Sequence, residues 1–465
     1  VKILMTGATG LIGREVGKRL VEQGHQLVVL SRNPSSARLE LPFPAQVFQW
    51  DGSEAPPPVE AWAGVDGVVH LAGEPIAEGR WTAERKRRIR DSRVEGTRQL
   101  VDSIFASPEI CSRMKFFVLG SAIGFYGDRS DEVLDEDSAT GEGFLAEVVR
   151  EWEAQADRLL ELRPEAQIRI TKIRTGVVFA RHGGAIAKML PVFSRGLGGK
   201  LSSGDQWMSW IHLDDIARLF CFAATDSRVS GVINGVAPDA VRNDRLTIEL
   251  ARALHRSVFL PVPRIALRVA FGEMADTLLG SQRVLPRRAL ELGFEFRYRE
   301  LTTALNELAE PLREFHHELL AEQWVPMTPE EIFPYFCSEK NLEELTPAFL
   351  GFNVLGKSTD LIEQGTEIDY RLSLHGIPLK WRTLIESWRP GVSFVDTQLK
   401  GPYRKWHHTH EFIPFAGGTL MRDRVIYKLP LGIIGDLSAG WKVARDVATI
   451  FAYRRKKIGE MFAGK

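Results

Sequence analysis

What most limits the fold of this chain is one junction near its start. An apolar run over residues 2–7 leads straight into Gly7-Ala8-Thr9-Gly10-Leu11-Ile12-Gly13, and an amphipathic pattern over 11–24 follows. Glycines at this spacing between a strand and a helix permit a tight turn, close approach of a ligand to the backbone, and close helix–strand contact. The first N–H groups of the helix and the positive end of its dipole then face an anion, which suits the pyrophosphate of a dinucleotide. The second strand pattern, over 26–32, ends about 20 residues further on, where a site for an unphosphorylated ribose places Asp or Glu to accept from the 2′-hydroxyl. Here the chain reads Ser31-Arg32-Asn33-Pro34. No acid is present, and Arg32 offers a guanidinium fork to a 2′-phosphate. The expected cofactor is NADP(H) rather than NAD(H).

Beyond this junction, strand patterns over 67–72, 115–122 and 168–179 alternate with helical patterns over 82–106 and 143–162. Such alternation predicts an α/β fold, a Rossmann-type doubly wound parallel sheet. From 181 the pattern loosens into helices and turns, and about 235–305 is expected to form a small substrate-side lobe. A chain of 465 residues is too long for one ordinary core. The texture changes at a polar segment over 314–322, so a first domain over 1–313 and a second over 314–465 are expected. In the second, a helix is expected over 328–345. Strands follow over 367–374, 379–388, 393–400, 403–414 and 419–429. A long amphipathic helix then runs over 437–462, with Leu437, Trp441, Ala444, Ala448, Phe451, Ile458 and Phe462 recurring mostly at three- and four-residue steps. A curved antiparallel sheet around that helix is the simplest way to bury the stripe, an α+β arrangement.

Several classes are set aside by composition. Lys plus Arg and Asp plus Glu both number 60, so no bulk field favours nucleic acid or an anionic membrane. The basic run Arg85 to Arg90 lies in a helical pattern and reads as a solvated face. No apolar run is long enough for a membrane span. The first residues carry no basic or long apolar leader, so no signal peptide is expected. Cys111, Cys221 and Cys337 form no close pair, which fits a reducing, cytoplasmic setting.

GATGLIG, VVHLAG (68–73), SRVEGTRQLV (92–101) and GSAIGFYGD (120–128) occur in that order. In this the chain resembles the extended short-chain dehydrogenase/reductases. More narrowly, GDQWMSWIHLDDIA (204–217), NGVAPDAVRN (234–243) and the stretch from VPRIALRVAFGEMA to LPRRALELGFEF resemble the "epimerase family protein" group. These are YfcH-like relatives of sugar-nucleotide epimerases. The resemblance covers about residues 1–305. It implies coenzyme contacts at Gly7, Thr9, Gly10, Leu11, Ile12, Gly13, Ser31, Arg32, Leu71, Ala72, Gly73, Glu74 and Arg93. Active enzymes of this plan carry Tyr-x-x-x-Lys on the helix after the fifth strand, the Tyr as acid/base and the Lys lowering its pKa. Here Leu145 and Val149 occupy those positions in one register, and Phe144 and Val148 in the next. Ser121 and Tyr126 remain as candidate catalytic residues, and Glu147 reads as a solvated helix carboxylate.

The second domain resembles the START-like, or SRPBCC (polyketide cyclase-like), superfamily. The match is mainly one of layout, apart from NLEELTP (341–347) and GPYRKWHHTHEF (401–412). It implies a helix-grip fold around an apolar cavity. On a strand, His408 and His410 share a face, as two ligands of a zinc site would, but no third ligand is identified and no metal is expected. Three readings stay open. The first is an NADP(H)-dependent oxidoreductase or epimerase-like enzyme acting on a small molecule such as a nucleotide sugar. The second is a non-catalytic NADP(H)-binding sensor. The third puts the main activity in the second domain, as a carrier of an apolar ligand. Oligomeric state is not written in these patterns.

Overall fold

The computed structural model describes residues 1–52, 55–162, 167–258, 261–313, 316–374 and 376–462. The chain divides into two compact units. One holds Val1–Pro34 with Ala45–Glu310, and the other Ser35–Pro44 with Pro311–Lys465. The junction expected at 313/314 falls on residues 314 and 315, outside the described residues.

The first unit is built on seven strands: β1 (Lys2–Thr6), β2 (Gln26–Ser31), β3 (Gln46–Gln49), β4 (Gly67–His70), β5 (Phe116–Ala122), β6 (Arg169–Thr175) and β7 (Gly231–Gly235). They order as β7-β6-β5-β4-β1-β2-β3, and every pairing is parallel. Helices α1 (Leu11–Glu22), α2 (Ala83–Ala106) and α3 (Phe144–Leu162) alternate with them. Because both faces of such a sheet are covered, β1, β2, β4 and β5 read as largely apolar runs. Leu4, Val28, Val68, Phe117 and Leu119 join Leu100, Ile104 and Trp152 in one core. This is the doubly wound α/β sheet expected. Its polarity puts the carboxyl ends of β1, β2, β4 and β5 on one side, where ligands of such sheets bind.

Two details differ from expectation. The strand expected over 168–179 is interrupted at Gly176, whose N–H donates to Gly235 O. A Cβ there would stand 2.6 Å from Ser209 O. Beyond it, Val177–Ala180 leaves the main sheet and pairs with Trp210–His212. The edge strands β3 and β7 are not among the expected strands, because Gln46 and Gln49 bound the one and Gly231, Asn234 and Gly235 interrupt the other, so neither reads as an apolar run.

In the second unit, seven strands form an antiparallel sheet: β8 (His317–Val325), β9 (Asn353–Lys357), β10 (Glu367–Leu374), β11 (Ile377–Arg389), β12 (Ser393–Lys400), β13 (Lys405–Phe415) and β14 (Gly418–Lys428). Their order is β8-β14-β13-β12-β11-β10-β9. The helix α4 spans Ile433–Phe462, starting four residues before its expected position. Phe451 joins Val425 and Tyr427 in one apolar cluster, and Ile458 and Phe462 join Phe333, Phe394 and Phe412 in another. The helix expected over 328–345 is two, Pro329–Phe336 and Glu339–Glu344. A capping box between Thr328 and Glu331 starts the first. The polar segment expected over 314–322 overlaps the start of β8. Its Glu318 and Glu322 accept from Arg424 Nε (2.6 Å) and Arg422 Nε (2.9 Å) on β14. Ion pairing across the ladder thus lets a charged sequence become a strand. Among the described residues, no helix is long and apolar enough to cross a membrane.

Candidate functional site

The three glycines of the first turn do different work. Gly7 has φ +67°, a left-handed conformation, and a Cβ on it would lie 2.7 Å from the Leu71 backbone. A Cβ on Gly13 would lie 2.1 Å from Gly7 O. Both positions are therefore required by the turn's own packing. Gly10 differs: the nearest atom to its Cβ is Gly7 O at 3.2 Å, and nothing else lies within 4 Å. It caps α1 without any side-chain hydrogen bond. The N–H groups that begin α1 therefore have no capping side chain, and the space above Gly10 is open. That is the geometry an anion needs.

Opposite this turn runs the segment after β4, held by a closed set of hydrogen bonds. Thr6 Oγ1 takes the N–H groups of Leu71 (3.1 Å) and Ala72 (3.0 Å) and sits 2.6 Å from His70 Nδ1. His70 Nε2 lies 3.0 Å from Thr97 Oγ1, which donates to Arg93 O (2.7 Å) and accepts from Trp152 Nε1 (2.8 Å). Donor and acceptor accounting assigns the tautomer. The Trp152 indole only donates, and the single Thr97 hydroxyl proton goes to Arg93 O, so His70 Nε2 carries the hydrogen. Nδ1 then accepts the Thr6 hydroxyl. Burial, together with the nearby Arg93 charge, pushes His70 down to about 3, so the ring is neutral and every polar atom in the chain of contacts is used.

Arg32 follows β2, exposed, and no described residue pairs with it; the neighbouring Ser31 Oγ accepts from Asn33 N–H (3.2 Å). Arg93 packs under the loop: its Nη1 donates to Glu74 O (3.0 Å) and Ile89 O (3.1 Å), and its guanidinium lies over Trp152. Burial lowers it to about 10, opposed by Glu74, so it stays cationic. The Glu74 carboxylate accepts from Arg85 Nη1 (2.7 Å) and faces away from any role as a free acceptor. Three more cations of the basic run are paired, Arg88 with Glu84, Arg90 with Glu151 and Lys86 with Glu273. Thr9, Leu11, Ile12 and Gly73 complete the set on the turn, on α1 and on the loop after β4.

Ser121 and Tyr126 meet in a second, closed network. Ser121 Oγ donates to Glu153 Oε1 (2.6 Å). Arg174 grips the same carboxylate with two bonds (2.9 and 2.8 Å) and donates to the Tyr126 hydroxyl (3.0 Å). That hydroxyl donates to Asn234 Oδ1 (2.7 Å). Tyr126 is fully buried, and burial raises its pKa despite Arg174. In this arrangement its proton and its lone pair are both committed. Leu145 and Val149 pack against Gly124, so the Tyr-x-x-x-Lys positions are aliphatic in space as in sequence; Glu147 is exposed. Sequence reasoning missed His70, Thr97, Glu153 and Arg174. Little signal was available: Arg174 is one of three cations in β6, Arg169, Lys172 and Arg174, and only its burial sets it apart.

In the second unit, His408 and His410 share a face as expected, and their rings are tilted 42° to one another with centroids 3.7 Å apart. Asp396 and Asp423 flank both rings. Burial would raise Asp396, but the two imidazoles hold it well below the usual carboxylate range.

With the geometry described, likeness to known proteins can be placed on it. Residues 3–234 match the NAD dependent epimerase/dehydratase family, and residues 262–308 match a domain of unknown function, DUF1731. "Epimerase family protein SDR39U1 homolog, chloroplastic" of Arabidopsis thaliana is 43% identical over 310 residues, 66% of this chain and 86% of that protein. The human epimerase family protein SDR39U1 is 34% identical over 312 residues, 66% of this chain and 99% of its own. A crystal structure of human SDR39U1 (isoform 2) with NADPH superposes with TM-score 0.59, covering 67% of this chain and all of that one. A nucleoside-diphosphate sugar epimerase from Corynebacterium glutamicum gives TM-score 0.52 at 32% identity, covering 66% of this chain and 58% of that one. On its glycine turn, its parallel sheet and these matches, the chain belongs to the NAD-dependent epimerase/dehydratase family.

Proposed function

We propose that the first unit binds NADP(H), with the pyrophosphate against the start of α1 and the 2′-phosphate against Arg32. One observation carries this reading. An uncapped helix start, open above Gly10, is combined with an exposed arginine and no acid just past β2. Thr9, Leu11, Ile12, Ser31, Leu71, Ala72 and Gly73 would line the site. Arg93 would brace its wall, and Glu74 would contribute through its backbone. The human relative solved with NADPH supports the same coenzyme. When bound, the nicotinamide supplies hydride chemistry toward a small-molecule substrate such as a nucleotide sugar. The protein's part is binding and orientation, without the usual proton relay. In this reading Ser121 and Tyr126 are positioning residues that fix Arg174. A catalytic role for Tyr126 would require its release from both Arg174 and Asn234.

For the second unit the START-like, helix-grip reading rests on layout, a seven-stranded antiparallel sheet with a 30-residue helix. That layout implies a ligand held between sheet and helix.

The coenzyme proposal is tested by calorimetry. NADPH is expected to bind more tightly than NADH. Arg32→Ala should weaken NADPH about ten-fold, about 1.4 kcal/mol, and leave NADH unchanged. Equal affinity of the parent protein for both coenzymes would overturn it.

A further inference from the structure

The seam between α4 and its sheet holds a cluster that the coenzyme reading does not use. Asp396 on β12 stands directly opposite His408 on β13, and Asp423 on β14 stands opposite His410. Directly opposed residues share a face, and so do alternate residues of one strand. All four side chains therefore project from one face of the sheet, with Phe451 and Arg454 of α4 against them. Asp396 thus stands where a third ligand beside His408 and His410 would stand.

The contacts form a pattern that protons alone serve poorly. Each ring touches both carboxylates, one through each nitrogen. His408 Nδ1 lies 3.2 Å from Asp396 Oδ2, and His408 Nε2 lies 3.2 Å from Asp423 Oδ1. His410 Nε2 lies 3.0 Å from Asp396 Oδ2, and His410 Nδ1 lies 2.8 Å from Asp423 Oδ1. A neutral imidazole has one N–H and one lone pair. Two neutral rings would thus set two nitrogen lone pairs against carboxylate lone pairs. One protonated and one neutral ring would balance the two carboxylates and Arg454, but one nitrogen lone pair would still face a carboxylate, at His410 Nδ1 with Arg454 Nη2 3.2 Å away as a donor. Two protonated rings would satisfy all four contacts, but as two imidazoliums with ring centroids 3.7 Å apart beside the Arg454 guanidinium.

A cation on the Asp396 side resolves the conflict. The ring nitrogens facing Asp396 become lone-pair donors to the ion, and the other two carry hydrogens that both reach Asp423 Oδ1. Arg454 Nη2 lies 3.5 Å from that same oxygen and offsets its charge. Its 3.2 Å approach to His410 Nδ1 is then a contact between two donors that share one acceptor. A carboxylate on the far N–H of a ligating histidine is what fixes the tautomer and strengthens the ligand in metal sites.

We propose that Asp396, His408 Nδ1 and His410 Nε2 bind a first-row divalent transition metal such as Zn2+, with Asp423 holding both rings from behind. One ligand atom from each of the three residues lies within 4.8 Å of the others. Around a tetrahedral Zn2+ with ligands about 2.1 Å away, donor atoms stand roughly 3.4 Å apart. The 3.0 and 3.2 Å contacts to Asp396 need little adjustment. Two imidazoles and one carboxylate also suit Fe2+. Three protein ligands leave a position for water or a small anion.

The test uses the full chain, stripped with a chelator and titrated with Zn2+. One ion per chain is expected, with a rise in melting temperature that the chelator reverses. Asp396→Asn and His410→Gln should each weaken Zn2+ at least 100-fold. Asp423→Asn, which keeps every ligand, should weaken it about 10- to 100-fold. If a variant misfolds, Co2+ added to the stripped parent decides. A strong visible band of a four-coordinate site that Zn2+ displaces supports the proposal. A parent that binds neither ion at micromolar concentration overturns it, as does Zn2+ affinity unchanged in folded Asp396→Asn.

Discussion

Both units bury imidazoles, and they surround them with opposite chemistry. His70 lies between two threonine hydroxyls, each of which can donate once and accept twice. A neutral ring fits there with nothing left over, and the reward is mechanical: the backbone at Leu71 and Ala72 is held in place beside the glycine turn. His408 and His410 lie between two carboxylates, which only accept when ionised. No arrangement of neutral rings satisfies that site, so it demands positive charge from somewhere. The difference teaches that burial alone does not say what a histidine does. The donor capacity of its partners does.

The strongest challenge to this comparison is Thr97→Val. It removes the oxygen shared by His70 and Trp152 and leaves two buried donors without partners, at about 1–3 kcal/mol each. The calorimetric transition that NADPH shifts should drop by several degrees, and NADPH should bind more weakly. A silent substitution would mean that the hydroxyl network does not hold the loop.

Next in size is a pH effect. Folded His70 stays neutral down to about 3, whereas the unfolded ring takes up a proton below 6.5. The unfolded state therefore binds more protons across that window. Stability contributed by the neutral ring is complete above 6.5 and is lost as pH falls, by about 1.4 kcal/mol per unit. His70→Gln should flatten the slope of the same transition between pH 6.5 and 5. An identical slope in parent and variant would break the assignment of a neutral ring.

The smallest expected effect sharpens the reading of Tyr126. Tyr126→Phe removes one hydroxyl from the Arg174–Asn234 bridge and should cost about 1–2 kcal/mol in stability. NADPH affinity is expected to stay within two-fold of the parent, roughly 0.4 kcal/mol. A ten-fold loss of affinity would place the phenol at the coenzyme instead.

The first sheet was legible because its central strands are apolar on both faces and its glycine turn has few structural uses. Gly7, Gly10 and Gly13 could be named from spacing, but not told apart; that needed the position of the Leu71 backbone and of Gly7 O. Arg32 is singled out by the acid missing beside it. The Thr97 link to His70 and Trp152 was hidden because its members come from β4, α2 and α3, and no local pattern marks a long-range hydrogen bond. The start of β8 falls in the polar boundary segment over 314–322 because Glu318 and Glu322 look solvated until Arg424 and Arg422 are placed across from them. His408 and His410 were visible as a same-face pair, but Asp396 became their neighbour only through the β12–β13 register.

The pairing of β8 with β14 also sets a timetable for synthesis. The strand His317–Val325 leaves the ribosome about 100 residues before its partner, Gly418–Lys428, several seconds at typical elongation rates. The first unit's sheet, whose last strand ends at Gly235, has all its strands by then. During that delay β8 is an unpaired edge that exposes Leu319, Leu320 and Trp324. Such edges invite association with other nascent chains unless charge interrupts them. Glu318 and Glu322 supply that charge while the strand waits. The carboxylates that pair β8 to β14 at the end of translation are thus the ones that guard it beforehand.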